Sequence, residues 1–147
     1  MKKSNKKNKI NNVCLAVVKN KDNEVLIIKR IIEEDASGGR KLTWVFPGGI
    51  ADDHEEKSEV AELEALEETG YKVKAIRKIS ERDYSMPNVH LAYFECELVS
   101  EDRTELLDVE EVEQVRWVPV EYLMDFFTTD VDPVVAKFLG LKNYLPK

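Results

Sequence analysis

The sequence predicts one domain of the α/β or α+β class, and three observations lead to this prediction. Runs rich in β-branched residues alternate with two helical patterns, one ending before Gly70 and one near the end of the chain. The 147 residues are 43% hydrophobic, which is enough for one buried core. Neither an internal repeat nor a linker divides the chain, so residues 13–147 are expected to form a single domain.

Six runs predict β-strands. VCLAVVKN and EVLIIKRI are separated by the turn-like KDNE, which predicts a β-hairpin. TWVFPGG predicts a short strand that runs into a Pro-Gly-Gly turn. The remaining strands are predicted from alternating or continuous apolar residues in YKVKAIRKI, VHLAYFECELV and VEQVRWVPV.

The helices have recognisable ends. The run AELEALEET is followed by Gly70, where a left-handed residue is expected to end the helix. EYLMDFF predicts a short helix. The final helix is predicted in DPVVAKFLG, with Pro133 in its first turn and Gly140 at its end.

Charge and composition exclude several classes of protein. The net charge of −7 and the pI near 5.0 argue against a nucleic-acid polymer as partner, because such binding needs clustered Lys and Arg. Residues 1–12, MKKSNKKNKINN, are predicted to be a mobile basic tail. Cys14 and Cys96 form no paired motif, and neither a signal peptide nor a membrane span is evident, so a cytoplasmic location is expected. Both a monomer and a homodimer fit the sequence.

Carboxylates crowd the end of the first predicted helix, at Glu62, Glu64, Glu67 and Glu68. The C-terminal end of a helix carries partial negative charge, so acids are disfavoured there, and like charges four residues apart repel by roughly 0.2–0.5 kcal/mol. Three of these glutamates, at positions 64, 67 and 68, share one face. We expect a bound cation to offset the repulsion, and Mg²⁺ prefers such oxygen ligands. A solvated acidic face is the alternative.

The residues around this helix extend the pattern. Residues 49–71 read G-x5-E-x7-L-E-A-x-E-E-x-G-Y. This spacing resembles the Nudix box, G-x5-E-x7-R-E-U-x-E-E-x-G-U, in which U is a bulky aliphatic residue. The chain therefore resembles a Nudix hydrolase, and its length and final helix resemble short MutT-like members. The resemblance implies an α/β/α sandwich around a mixed β-sheet.

The box departs from the family pattern at one position. Leu63 stands where the family has an arginine that holds the glutamates in position. Leucine offers no hydrogen bond, so another cation is expected to take this part, with Lys57, Arg40 and Lys41 as candidates. His54, where a glycine is common, is expected to be an exposed loop residue.

The resemblance also implies an activity and a set of residues for it. Nudix hydrolases cleave a nucleoside diphosphate linked to another moiety, with Mg²⁺ as cofactor and Mn²⁺ as a possible substitute. It implies Glu64 and Glu67 as catalytic residues, with Glu64 either a metal ligand or the base that activates water. The implied metal ligands are Glu67, Glu68, Glu64, Glu55, Glu111 and the backbone carbonyl of Gly48 or Gly49.

The substrate is expected to be a small nucleotide, most simply a nucleoside triphosphate cleaved to the monophosphate and pyrophosphate. ADP-ribose or a nucleotide sugar is the alternative, and a non-catalytic nucleotide-binding module is the second alternative.

Five residues are candidates for substrate binding. Arg30 is suited to contact a phosphate, and Trp44 and Tyr84 are suited to stack on a base. In MutT-like members specific for oxidised guanine an asparagine precedes the final helix. Val131 holds that position here, with Asp132 beside it. Pro87, a weak match to ADP-ribose-cleaving members, is better explained as a turn residue.

Overall fold

The computed structural model describes residues 9–35, 41–84, 88–105 and 111–146, and side chains of these except at 32–35 and 41–42. The elements in chain order are β1 (Asn11–Val18), β2 (Glu24–Asp35), β3 (Lys41–Val45), β4 (Gly48–Ala51), α1 (Lys57–Thr69), β5 (Tyr71–Asp83), β6 (Val89–Arg103), β7 (Val112–Pro119), the 3-10 helix η1 (Val120–Asp125) and α2 (Pro133–Leu139). β1 begins at Asn11, so the predicted tail boundary at residue 12 is wrong by two residues, because Asn11 and Asn12 already pair with β6. The mobility of the tail stays a prediction, since residues 1–8 lie outside the described part.

The strands form two sheets with helices packed on them. One sheet is mixed, in the order β4-β1-β6-β5, with β1 and β6 parallel; the other has the antiparallel order β3-β2-β7. Helix α1 packs on the mixed sheet through Val60, Ala61 and Ala65. Helix α2 closes a second core cluster, which joins the two sheets through residues such as Val17 and Ile27. This arrangement confirms the predicted fold class.

The predicted hairpin of β1 and β2 is wrong. Its turn is real, because the side-chain oxygen of Asn20 accepts from the backbone N–H of Asp22 and of Glu24. Beyond one bridge between Lys19 and Val25, however, the two strands belong to different sheets. β1 is almost continuously apolar and lies between β4 and β6, as is typical of a strand buried on both faces.

Helix α1 ends as predicted, and strand β6 stabilises that end. Gly70 has a φ of 81°, in the left-handed region. The Arg103 side chain donates from Nε to the carbonyl of Thr69, at 2.8 Å. A cation therefore lies at the negative end of the helix, which offsets part of the cost of the glutamates there. The Glu62 carboxylate is also hydrogen-bonded, because its Oε2 accepts the backbone N–H of Ala75, at 2.7 Å.

Helix α2 confirms its predicted ends as well. Asp132 is the N-cap, and its Oδ1 accepts from the backbone N–H groups of Val134 and Val135. Pro133 is the first helical residue and Gly140, with a φ of 81°, follows the last. The short helix predicted in EYLMDFF is a 3-10 helix over Val120–Asp125.

Both cysteines are buried as free thiols. Burial raises the pKa of the Cys96 thiol to about 12, which makes it unreactive near neutral pH. Within the described ranges, no helix combines the length and apolar character that crossing a membrane requires.

A charged bridge ties β5 to β6 beside the 84–89 connection. The imidazole of His90 lies between two carboxylates, with Nδ1 at 2.8 Å from Asp83 Oδ1 and Nε2 at 2.7 Å from Glu81 Oε1. Ionised carboxylates only accept, so both contacts are hydrogen bonds only when both ring nitrogens are protonated. Hydrogen bonds to Asp83 and Glu81 accordingly raise the pKa of His90 above its ordinary 6.5. Hydrogen bonds from Lys78 and then His90 lower the pKa of Glu81 to about 2.

We expect the contribution of His90 to the free energy of unfolding to fall as pH rises. Because its pKa is raised by folding, the contribution is complete below the ordinary value of 6.5 and is lost as pH passes through the folded pKa. Urea denaturation of wild type and His90→Gln at about pH 5.5 and about pH 9 should show the larger difference at low pH. A difference that does not change with pH would contradict the charged bridge.

Candidate active site

The Gly-Gly turn at the start of β4 packs directly on helix α1. The backbone N–H of Gly48 donates to Glu68 Oε1, at 2.8 Å, and Glu68 is 2% exposed. A Cβ atom on Gly48 would lie 2.3 Å from the carbonyl oxygen of Cys14 on the neighbouring strand. β4 can therefore lie this close to β1 only because residue 48 has no side chain.

Glu64 lies under the second glycine of the turn. A Cβ atom on Gly49 would come within 2.5 Å of Glu64 Cδ. Glu64 and Glu68 are four residues apart on α1, so they lie one above the other and both face the turn. Glu67 is half-buried on the same helix. The turn and the helix thus bring the Glu64 and Glu68 carboxylates next to the backbone of Gly48 and Gly49.

The other two predicted metal ligands lie at exposed positions. Glu55 accepts the N–H of Asp52 at its Oε1, at 2.8 Å, which closes the loop before α1. The carbonyl of Glu111 accepts the N–H of Ile31, at 3.0 Å. That contact places Glu111 next to Arg30, a neighbour that only the pairing of β2 with β7 produces.

The donor set suits a hard cation. All the candidate ligands are oxygen atoms, from carboxylates or the backbone. Among residues 9–35, 41–84, 88–105 and 111–146, no three or more His, Cys, Asp or Glu side chains already surround a common point. Mg²⁺ commonly uses one or two carboxylates together with water and phosphate oxygens, so Glu64 and Glu68 at the turn match its needs.

Leu63, at the position of the box arginine, is 48% exposed. Lys57, the first residue of α1, shares the surroundings of the turn. Burial raises the pKa of the Cys14 thiol to about 11, with Lys57 opposing the rise and Glu55 and Glu64 adding to it. These opposite effects put a positive and two negative charges around the same strand. The other two candidates to replace the box arginine are Arg40 and Lys41, and Arg40 and the Lys41 side chain lie outside the described residues.

A cavity of about 590 Å³ opens beside the turn, and Gly48 and Gly49 form part of its wall. All five predicted substrate-binding residues line it, namely Arg30, Trp44, Tyr84, Val131 and Asp132. Pro87 lies outside the described residues. Aromatic rings surround the cavity, with Phe46 and Phe127 in edge contact at 5.0 Å between centroids. Phe94, in contrast, packs in the core beneath α1.

Val131 and Asp132 contribute to the cavity wall differently from Trp44 and Tyr84. Val131 is 2% exposed, belongs to the core, and its N–H donates to the carbonyl of Tyr144. Asp132 is 3% exposed, and both its carboxylate oxygens are engaged, Oδ1 in capping α2 and Oδ2 with the Ser80 hydroxyl at 3.2 Å. Their side chains therefore shape this end of the cavity.

Sequence reasoning missed the charged centre of the cavity. Arg82 Nη1 donates to Asp130 Oδ2, at 3.2 Å, and both residues line the wall of the cavity. Tyr93 is buried beside them, and burial raises the pKa of its hydroxyl to about 12, so it stays protonated near neutral pH. The sequence carries no local signal for this contact, because the predicted strand ends at Ile79 and Asp130 lies 48 positions after Arg82.

The fold and the Gly-Gly turn packed on a glutamate-rich helix define a class, and comparison with known proteins identifies it. The NUDIX domain matches residues 9–138 of this chain. The chain therefore belongs to the NUDIX family. No curated protein matches the sequence.

Solved structures share the fold at low sequence identity. A NUDIX hydrolase from Nitrosomonas europaea is similar, with a TM-score of 0.69, 19% identity, and coverage of 93% of both chains. A MutT protein from Methanosarcina mazei Go1 is similar with a TM-score of 0.65 and 19% identity, and the match covers 90% of this chain and 91% of that one. A UDP-X diphosphatase is similar with a TM-score of 0.57 and 19% identity. The match covers 76% of this chain but only 52% of the length of the diphosphatase.

We expect the two glycines of the turn to respond differently to alanine. Gly48→Ala collides with backbone and should lower the free energy of unfolding by about 1–3 kcal/mol. Gly49→Ala meets the end of the flexible Glu64 side chain and should cost less, because that carboxylate can move away. Urea denaturation of both variants measures the difference. Equal losses, or a larger loss for Gly49→Ala, would contradict the packing described for this turn.

Proposed function

We propose that this protein is a Mg²⁺-dependent pyrophosphohydrolase. Its substrate is a nucleoside diphosphate linked to another moiety, and the favoured member of that class is a nucleoside triphosphate, cleaved to the monophosphate and pyrophosphate. The observation that carries the proposal is the Gly-Gly turn. One side of it packs on Glu64 and Glu68, and the other side lines the cavity that also contains Arg30.

The metal requirement follows from the ligands. NUDIX enzymes generally use divalent ions such as Mg²⁺, and the oxygen-only ligands at the turn fit this ion. Glu67, Glu68 and Glu64 would hold it, with Glu55, Glu111 and the carbonyl of Gly48 or Gly49 as further ligands. When bound, Mg²⁺ neutralises phosphate charge and acidifies a bound water. Mn²⁺, with similar oxygen chemistry, is expected to substitute.

The protein's own residues position and activate the reactants. Glu64 and Glu67 are the candidates to accept a proton from the attacking water, and Glu64 is held against Gly49. Arg30 lines the cavity and pairs with Val112, the residue after Glu111, and its planar guanidinium can contact a phosphate in two places. Glu68 keeps the turn on the helix through the Gly48 N–H, so the phosphate end of the cavity is preorganised.

Substrates beyond the triphosphates fit the same reaction. ADP-ribose and nucleotide sugars contain the same pyrophosphate linkage, and one structurally similar protein is a UDP-X diphosphatase. The cavity of about 590 Å³ is large enough for a base and a sugar. We place the triphosphates first because the chain resembles short MutT-like members in its length and final helix.

A non-catalytic nucleotide-binding module is the second candidate. Leu63 is the observation that favours it, because it is exposed and cannot hold the glutamates as an arginine would. Lys57 is our candidate to supply the missing charge. In this case the cavity binds nucleotide but the carboxylates are too loosely held to activate water.

We expect Glu67→Gln to lower kcat at least ~10²-fold, equal to roughly 3 kcal/mol in the activation barrier, with the fold intact. The amide removes a charged ligand and a candidate base while keeping the side-chain shape. Glu59→Gln, an exposed position on the same helix, is the control and should keep wild-type turnover. Wild-type-like kcat in Glu67→Gln would exclude Glu67 from the chemistry.

Product release over a nucleotide panel tests the activity itself. The panel contains canonical and oxidised triphosphates, ADP-ribose, nucleotide sugars and dinucleoside polyphosphates, each with Mg²⁺ and with EDTA. We expect Mg²⁺-dependent release from at least one triphosphate. Nucleotide binding without any release would support the binding module instead.

A further inference from the structure

The ring of Trp44 contacts a second ring and a cation. It meets Phe126 edge to face, with 5.3 Å between the centroids and 81° between the planes. The guanidinium carbon of Arg116 lies 5.8 Å from the Trp44 centroid and 5.5 Å from the Phe126 centroid. Both distances are within the reach of a cation–π contact, which is about 6 Å. One guanidinium therefore contacts both rings.

The pairing of the strands explains how Arg116 reaches Trp44. In the antiparallel sheet, Trp44 of β3 lies opposite Lys29 of β2, and Arg116 of β7 lies opposite Ile27 of β2. Ile27 and Lys29 are two residues apart, so they and their partners share one face of the sheet. Trp44 and Arg116 are thus separated by the width of β2, which is about 10 Å between the outer strands. A long side chain at position 116 is needed to bridge this distance.

The backbone around Trp44 gives the ring limited support. β3 has only five residues and lies at the edge of its sheet. Val45 and Trp44 pair in register with β2, but the register shifts immediately beyond, between Lys29 and Glu34. An edge strand with an interrupted ladder fixes its side chains less firmly than a central strand does. The orientation of the Trp44 ring therefore depends strongly on its contacts with Phe126 and Arg116.

Arg116 can influence a ligand through Trp44. Trp44 is half-buried and lines the cavity of about 590 Å³, together with Arg30 and the Gly-Gly turn. Arg116 is exposed and is not part of the cavity wall, nor is Phe126. The guanidinium thus holds a wall residue without belonging to the wall.

We propose that Arg116 is a positioning residue that fixes the Trp44 ring for stacking on the substrate. This inference rests on the proposed function and adds a residue to that site. Ordering a side chain during binding lowers affinity, so a ring that is already fixed binds a flat group more tightly. The contact is the same in the ground state and in the transition state. Its loss should therefore raise KM and leave kcat unchanged.

Steady-state kinetics of Arg116→Gln test the effect on the substrate that the nucleotide panel identifies. We expect KM to rise about 3- to 10-fold and kcat to stay within about 2-fold of wild type, as the loss of two cation–π contacts implies. Arg116→Lys keeps a cation near the rings and should restore most of the affinity. Arg77→Gln is the matched control and should keep the wild-type KM. Arg77 lies 5.6 Å from the ring of Phe138, which is not part of the cavity wall.

A double-mutant cycle with Trp44→Leu separates positioning from a direct contact with the substrate. If Arg116 acts through the Trp44 ring, Arg116→Gln should change KM by less than about 2-fold once that ring is removed. An arginine that binds phosphate itself would lose the same affinity in both backgrounds. A loss that persists in Trp44→Leu would overturn the proposal.

The motion of the ring can be measured in the free protein. The chain contains two tryptophans, so Trp117→Phe leaves Trp44 as the sole source of tryptophan fluorescence. In that background we expect Arg116→Gln to add nanosecond motion of the ring, seen as a faster decay of fluorescence anisotropy. Arg77→Gln should leave the decay unchanged. An unchanged decay in Arg116→Gln would also overturn the proposal.

Failure of this inference and failure of the proposed hydrolysis give different results. If no nucleotide is hydrolysed, the Kd measured by calorimetry takes the place of KM. A Kd that rises about 3- to 10-fold in Arg116→Gln would support the inference although hydrolysis had failed. Equal KM or Kd in wild type and Arg116→Gln would overturn the inference even where hydrolysis is confirmed. Binding of no nucleotide at all would overturn both proposals.

Discussion

The hydrogen bond from the Gly48 N–H to buried Glu68 is the constraint on which the rest of the site depends. It holds β4 on α1, where the Glu64 side chain leaves no room for a side chain at residue 49, while β1 leaves none at residue 48. The same close approach holds Glu64 at the turn. A buried carboxylate is costly unless it is hydrogen-bonded, so the strand stabilises the very group that our proposal gives to the metal.

The cavity beside this turn is lined by groups of both charges. Arg30 and the Gly-Gly turn belong to its wall, and so does Arg82, which contacts Asp130 and has Nε 3.6 Å from Asp132 Oδ2. In our proposal, cations held by the glutamates of α1 make a negatively charged protein receptive to phosphate. The guanidinium of Arg30 would then add a direct phosphate contact.

Local rules predicted much of this structure, and pairing between distant segments explains what they missed. Gly70, Pro133 and Gly140 mark helix ends because a cap depends on a few adjacent residues. The β1–β2 hairpin failed because strand partners are chosen by burial across the whole sheet. The contact of Arg82 with Asp130 spans 48 positions, and no local pattern indicates it. The carboxylate spacing was readable because three of its members lie on one helix.

The most direct test of the central claim is to locate a bound ion by paramagnetic relaxation. Mn²⁺ at low stoichiometry broadens the amide signals nearest to it in an NMR spectrum. Our account predicts that the amides of Gly48, Gly49 and residues 64–68 broaden first, and that excess Mg²⁺ restores them. Preferential broadening around the other acidic cluster, at Glu81 and Asp83, or uniform broadening over the surface, would contradict a metal site at the Gly-Gly turn.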